Sequence, residues 1–244
     1  KPLKVLIDRG MGFGYHNRTG AFTTETALEL AAAISGCANL RLVGLQGYSG
    51  AVQHIEDLEE RRKSANVALD RLRTTRDALI ESGYKLDIVT GGGTGSCEFD
   101  AGSGVFNELQ VGSYVFLDVQ YNEVIHGPDF PAGVSTSLFL QTSVVSANLF
   151  GRATTDAGLK SFATDGPVPK IHSGAIPGSQ YVFMGDEQGG VIAPEGEPGP
   201  SLGDVIRCVT PHCDPTVNLH DFYYCVRGDT LVDIWPVHAR GHSW

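Results

Sequence analysis

The sequence has no apolar run approaching the ~20 residues that a membrane-crossing helix needs. It has no CxxC pair, and its basic residues are outnumbered, 18 Lys and Arg against 28 Asp and Glu, for a formal net charge of -10. The first absence predicts no membrane partner. The third predicts no nucleic-acid partner, because phosphate contacts need clustered cations. The densest basic cluster, Glu59-Glu60-Arg61-Arg62-Lys63, carries both signs and reads as a solvated helix face. The five cysteines, Cys37, Cys97, Cys208, Cys213 and Cys225, are odd in number and lack the spacing of a disulfide framework or zinc ribbon. A reducing, cytoplasmic setting is therefore expected. No signal peptide is visible, and Lys4-Val5-Leu6-Ile7-Asp8 reads as a buried strand that begins without a cap or turn. Further chain upstream is expected from that abrupt start.

What is present is a strand-helix alternation in the first half. Val5-Leu6-Ile7 is a short strand ending in Asp8 and a glycine-rich loop. Thr23 to Ile34 follows with helical apolar spacing and Thr23 or Thr24 as N-cap. Leu40 to Leu45 is a second strand. Asp57 to Ser82 is a long charged helix, with Val67, Leu69, Leu72, Leu79 and Ile80 on its buried side and Gly83 as its stop. Leu86 to Val89 is a third strand, and Glu108 to Asp118 contains a fourth. Such alternation implies parallel strands, as in a barrel or an open α/β sheet. Glycines and polar residues gather after these strands, where a (β/α) barrel places its chemistry.

After about residue 130 the pattern changes. Ser137 to Ser146, Tyr181 to Met184, Asp204 to Val209, Phe222 to Val226 and Thr230 to Val237 read as strands punctuated by Gly, Pro and Asp. This half is expected to be a mostly antiparallel β domain. No internal repeat is apparent.

Four segments could carry chemistry. Gly91-Gly92-Gly93-Thr94-Gly95 follows a buried strand, where glycines allow backbone N–H groups to approach an anion and Thr94 adds a hydroxyl. It reads as a phosphate cradle, although a glycine run is also an ordinary tight turn. Gly112-Ser113 lies one strand-length later and could add donors to the same phosphate. The loop Gly12 to Gly20 holds Tyr15, His16 and Arg18, and an arginine there either fixes a carboxylate or a ring nitrogen or is simply a surface residue. Pro211-His212-Cys213-Asp214-Pro215 follows a strand. In extended chain, His212 and Asp214 project to one side, an imidazole and a carboxylate suited to a divalent metal, with Cys213 facing away. An isolated pair of this kind is usually structural. His54, past Tyr48 and Gly50, is a candidate base or an exposed capping residue.

Taken in order, several segments resemble the family of D-threonine aldolase, D-3-hydroxyaspartate aldolase and D-serine dehydratase. They are Leu45-Gln46-Gly47-Tyr48 with Gln53-His54, Thr90 to Gly95, Glu108 to Phe116, and His212-Cys213-Asp214-Pro215-Thr216-Val217-Asn218-Leu219. Asp156 to Lys160, Gly185-Asp186-Glu187 and Trp235-Pro236-Val237 add to the likeness.

The resemblance implies an alanine-racemase-like (fold type III) enzyme. Residues 1–130 would be the C-terminal half of a pyridoxal-phosphate-binding (β/α)8 barrel, and 131–244 a β domain carrying the metal site. It implies that Gly93, Thr94, Gly112 and Ser113 hold the cofactor phosphate and that Tyr121 lies in the cofactor site. Arg18 would sit by the cofactor ring or substrate carboxylate, Tyr48 and His54 near the substrate, and His212 and Asp214 on a divalent metal (Mn, Mg or Zn). The implied reaction is cleavage of D-3-hydroxy amino acids to glycine and an aldehyde. D-serine dehydration is the alternative on the same scaffold, and a non-catalytic cofactor-binding protein is a third. The dehydratase branch resembles His-x-Cys at the metal, so Asp214 favours the aldolase.

Two departures stand out. Gly12 to Gly20 is longer than the family's Gly-x-Gly-Arg-x-Gly pattern. The family's Schiff-base lysine is matched by none of Lys1, Lys4, Lys63, Lys85, Lys160 and Lys170. An N-terminal half-barrel segment bearing that lysine is expected from elsewhere, and a homodimer is implied.

Overall fold

The computed structural model describes residues 1–11, 18–124 and 126–242. They form two compact units. The first is built from Lys1–Tyr114 with Glu123–Gly133, the second from Val115–Asn122 with the residues from Val134 onward.

The first unit carries strand β1 (Leu3–Asp8), helix α1 (Thr24–Ser35), β2 (Leu40–Gly47), α2 (Leu58–Glu81), β3 (Ile88–Gly91), the short α3 (Cys97–Asp100) and β4 (Glu108–Leu109). The strands lie in the order β1-β2-β3-β4, all parallel. Thr23 caps α1 by accepting the Thr26 N–H at 3.1 Å, and Asp57 caps α2 by accepting the Glu60 N–H at 2.8 Å. Gly83, at φ +88°, ends α2 in the left-handed region. Ile7, Leu45 and Val89 of the sheet pack on Ala27 and Ala31 of α1 and on Leu69, Leu72 and Leu79 of α2. Burial of each leucine contributes ~1.5–3 kcal/mol.

Two expectations about α2 require correction. Val67 and Ile80 are 41% and 52% exposed, so neither belongs to the buried side. That side runs instead through Arg61, Ala65, Ala68, Leu72, Thr75 and Leu79, at helical spacing but partly in polar residues. Arg61 therefore does not sit on a solvated face; it is fully buried. The strand expected within 108–118 is only the two residues of β4, after which the chain turns through Ser113–Val115.

The second unit contains α4 (Val119–Glu123), β5 (Phe139–Leu149), β6 (Arg152–Thr155), β7 (Lys170–Ser173), β8 (Gln180–Phe183), β9 (Gly189–Ile192), β10 (Val205–Val209), α5 (Cys213–Val217), and the hairpin of β11 (Phe222–Arg227) and β12 (Thr230–Pro236). Glu123, at the end of α4, groups with the first unit. Six strands form an antiparallel sheet in the order β7-β10-β5-β6-β9-β8, and its end strands β7 and β8 approach each other, so the sheet curls nearly into a barrel. Leu140, Thr142 and Val144 alternate inward along β5. They join a core with Ala153, Phe162, Tyr181, Val191, Ile206 and Cys208.

The Tyr181 hydroxyl donates to the Ala157 carbonyl at 2.6 Å and lies 2.7 Å from Thr155 Oγ1. Burial pushes that phenol up to about 12. Tyr181→Phe strands the Ala157 carbonyl and should cost about 1–3 kcal/mol, read as a shift in the urea midpoint at unchanged slope. Among the described residues no helix is long and apolar enough to cross a membrane.

Candidate active site

The glycine loop after β3 is shaped from behind by two buried side chains. A Cβ at Gly92, whose φ is +69°, would lie 2.4 Å from Asp100 Oδ2, one at Gly93 2.5 Å from Gln53 Oε1, and one at Gly95 2.0 Å from the Gln53 carbonyl. Glycine is thus required at these positions by packing. Two of the loop amides are directed inward. Gly93 N–H donates to Ser96 Oγ at 3.3 Å and Gly95 N–H to Gln53 Oε1 at 2.9 Å. Gln53 Nε2 in turn donates to Ser96 Oγ at 2.9 Å and to the Ser49 carbonyl at 3.2 Å.

Thr94 is buried, and its Oγ1 accepts the Tyr114 N–H at 3.0 Å. This bond joins the loop to the Gly112-Ser113 turn, so two segments 20 residues apart meet. Ser113 is buried beside it, and a Cβ at Gly112 would meet nothing within 4 Å, so no protein atom demands glycine there.

Arg61 anchors the far side of the loop. Its Nε donates to the Gly95 carbonyl at 2.8 Å and its Nη1 to the carbonyls of Ile55 at 2.6 Å and Glu56 at 3.1 Å. Its Nη2 lies 3.5 Å from Glu98 Oε1, and that carboxylate also accepts the Gly127 N–H. Burial lowers the guanidinium pKa, and Glu98 opposes the shift.

On the face of the sheet opposite the helices, hydrogen bonds link side chains from the ends of all four strands. Thr19 Oγ1 donates to Asp8 Oδ2 at 2.8 Å, Gln46 Nε2 to Asp8 Oδ1 at 3.2 Å, and Gln110 Nε2 to Gln46 Oε1 at 3.3 Å and Thr90 Oγ1 at 3.2 Å.

Near the end of β2, the Arg18 guanidinium lies over the Tyr48 ring, 5.8 Å from its centroid. Arg18 is exposed and Tyr48 half-buried, and His54 is exposed on the turn after the Gly50–Val52 helical turn. Tyr15 and His16, in the Gly12 to Gly20 loop, lie outside the described residues. A second arginine escaped the sequence reading. Arg9 is buried, with Nε on Thr75 Oγ1 at 3.1 Å and Nη1 on the Ala21 carbonyl at 3.1 Å. It ties the two ends of that loop to α2.

In the second unit, His212 and Asp214 come together by a different route from the extended chain that the spacing suggests. His212 is the N-cap of α5, so Asp214 lies in the first turn of a helix. Thr216 Oγ1 donates to the His212 carbonyl at 2.7 Å, and the buried Asp118 accepts the Cys213 N–H at 2.8 Å and the Tyr121 N–H at 3.0 Å. Asp118 thereby fixes both the start of α5 and Tyr121, which is buried on α4.

His212 Nδ1 lies 2.8 Å from Asp165 Oδ2, and Nε2 3.8 Å from Asp214 Oδ2. The Asp165 carboxylate favours the tautomer with its proton on Nδ1, which turns the Nε2 lone pair toward Asp214. One nitrogen and one carboxylate facing each other, with the imidazole oriented from behind, are a donor pair that fits a divalent cation. Among the described residues no group of three or more His, Cys, Asp or Glu side chains gathers to hold a metal. Water and substrate oxygens would have to complete the coordination. Cys213 is fully buried, and an open cleft beside the pair is lined by Leu159, Phe162, Asp165 and Pro215.

Two family models match in tandem: "Alanine racemase, N-terminal domain" over residues 1–120 and "Putative serine dehydratase domain" over residues 137–226. The chain is 40% identical to a D-threonine aldolase of Arthrobacter sp, over 99% of this chain and 62% of that protein. It is 37% identical to the 3-hydroxy-D-aspartate aldolase of Paracoccus denitrificans (strain Pd 1222), over 98% of this chain and 60% of that protein. It thus spans about three fifths of the length of the curated relatives it matches. The crystal structure of D-threonine aldolase from Filomicrobium marinum superposes with a TM-score of 0.92 at 38% identity, covering 100% of this chain and 65% of that one. With a parallel sheet followed by a curled antiparallel one, the chain has the alanine-racemase-like, fold type III architecture and is similar over nearly its whole length to D-threonine aldolase and 3-hydroxy-D-aspartate aldolase.

Proposed function

We propose that this chain is the greater part of an aldehyde-lyase that cleaves D-3-hydroxy amino acids to glycine and an aldehyde, using pyridoxal phosphate and a divalent metal. The observation that carries the reading is the His212–Asp214 pair, 3.8 Å apart and oriented by Asp165, in a chain whose relatives are named as aldolases of this substrate class.

Thr94, Ser113 and the backbone of Gly93 and Gly112 hold the cofactor phosphate. Arg18, stacked on Tyr48, binds a carboxylate or the cofactor ring, and Tyr121 belongs to the cofactor site. His212 and Asp214 hold Mn²⁺, Mg²⁺ or Zn²⁺, which supplies a Lewis acid for the substrate 3-hydroxyl. Pyridoxal phosphate supplies an acceptor for the electron pair left on Cα. His54 takes the hydroxyl proton, which commits the Cα–Cβ bond to break. Residues 1–130 are one half of the cofactor-binding barrel, and the Schiff-base lysine comes from a segment outside these residues. The active form is a homodimer.

The serine dehydratase model over residues 137–226 favours dehydration as the second reading. The complete enzyme, incubated separately with D-threonine and D-serine, separates them. Glycine and an aldehyde from D-threonine are expected. A 2-oxo acid with ammonia as the main product would transfer the assignment to a dehydratase.

The phosphate cradle has its own test. Thr94→Val keeps the side-chain outline but removes the hydroxyl, and with it the acceptor of the Tyr114 N–H that joins the loop to the Gly112-Ser113 turn. It should weaken cofactor binding about ten- to a hundredfold, as expected for a lost hydrogen bond to a charged group, read by titration of the cofactor's absorbance.

A further inference from the structure

Behind the glycine loop lies a carboxyl group that the proposed reaction leaves unused. Asp100, at the end of α3, is 4% exposed, and among the described residues no basic side chain pairs with it. It borders a cavity of about 20 Å³, room for about one water, together with Ser49, Ser96 and Gly92. Ser96 Oγ donates to Asp100 Oδ2 at 2.5 Å. The same oxygen accepts from Gln53 Nε2 at 2.9 Å and from Gly93 N–H at 3.3 Å.

A hydroxyl has one proton and two lone pairs. With Asp100 ionised, Ser96 is therefore saturated and Gly93 N–H is held inward. Gly93 N–H also hydrogen-bonds the Asp100 carboxylate itself; protonation of Asp100 on Oδ2 weakens that bond and makes the carboxyl O–H a third donor to Ser96 Oγ. One acceptance must then yield, and the Gly93 bond is the longest.

We propose that Asp100 is the positioning residue of the phosphate loop: directly and through Ser96 it sets whether the Gly93 N–H faces the protein interior or a bound anion. The inference rests on the reading of Gly91 to Gly95 as a phosphate loop. Burial, the largest cause, pushes the Asp100 carboxyl up to about 6. The cavity it borders is lined from α2 by Ala65, Ala68 and Leu69, and from the turn after β2 by Ser49 and Gln53. On α3, the Cys97 thiol is pushed up to about 11 by burial and stays neutral, while Glu98 is paired with Arg61. An anion in the loop disfavours the carboxylate behind it. Anion affinity should therefore fall as pH rises through about 6.

The test uses the full chain and sulfate, which keeps its charge between pH 5 and 8. Sulfate affinity of the wild type should fall about three- to tenfold over that range, as for a carboxyl whose pKa the bound anion raises by up to one unit. It should be nearly flat in Asp100→Asn. The Gly93 amide resonance of the ligand-free wild type should titrate with a midpoint near 6 and lose that titration in the variant. A Gly93 resonance that does not move through this range in the wild type overturns the proposal, even where the variant fails to fold. Sulfate binding that Thr94→Val weakens, but whose pH dependence Asp100→Asn leaves intact, overturns the role of Asp100 alone. Absence of sulfate binding to the wild type at every pH overturns the phosphate loop itself, and the proposal with it.

Discussion

His212→Ala should reduce metal-dependent aldehyde release at least a hundredfold and weaken metal binding, with cofactor binding unchanged. The magnitude follows from the ligand count. The pair offers one nitrogen and one carboxylate, so removing the imidazole leaves a single exposed carboxylate, Asp214, as protein ligand. Monodentate carboxylate in water holds a divalent ion poorly, and a metal that polarises a hydroxyl lowers the barrier by several kcal/mol. Excess metal should restore little activity. The loss separates from misfolding because His212 is a cap residue whose backbone carbonyl, not its ring, accepts from Thr216. Metal affinity by calorimetry, with the cofactor spectrum recorded on the same sample, checks the expectation. Full activity in His212→Ala after metal addition would remove His212 from the metal site.

Arg61→Ala should destabilise the protein by about 3–5 kcal/mol, the cost of leaving a buried ionic partner uncompensated. Three carbonyls lose this donor and the Glu98 carboxylate loses its cation together, and Glu98 is 2% exposed in its side chain. The Gly95 carbonyl is among those freed, so the phosphate loop should also loosen and cofactor affinity fall. Arg62→Ala, one position along the same charged run, provides the contrast. Its side chain is 40% exposed, with Glu59 at 3.6 Å and the Phe99 ring beneath it, and the loss should stay under about 1 kcal/mol. Urea midpoints of the two variants measure the difference. Equal midpoints would show that Arg61 is solvated after all.

That contrast marks where sequence reading ran out. The alternation of strands and helices in the first unit was legible because Leu45, Val89, Leu69 and Leu72 repeat at the periods of the elements that bury them. Arg61 was not legible, because its burial depends on carbonyls and a carboxylate up to 37 residues away that local pattern cannot place. In the second unit, β6, β7 and β9 have four residues each, too few for alternation to register. β9 opens with two glycines, the first of which leaves room for the Tyr181 hydroxyl.

The site divides in the same way. His212 and Asp214 were weak as an isolated pair, and Thr94 and Ser113 as parts of glycine turns; they stood out only when the segments were taken together in the family resemblance. Asp165, 47 residues before His212, and Asp118, 95 before Cys213, carry no local signal, yet they orient the imidazole and fix the start of α5. Asp100 and Gln53 explain the glycines that drew attention to the loop, and both are invisible until the chain is folded.

The most direct test of the central claim is glycine release by the complete enzyme from D-threonine and from L-threonine, after chelation and again after Mn²⁺ is restored. Release from the D isomer alone, abolished by chelation and recovered with the metal, is the predicted result. Equal release from both isomers, or release from D-threonine that survives chelation, would contradict it.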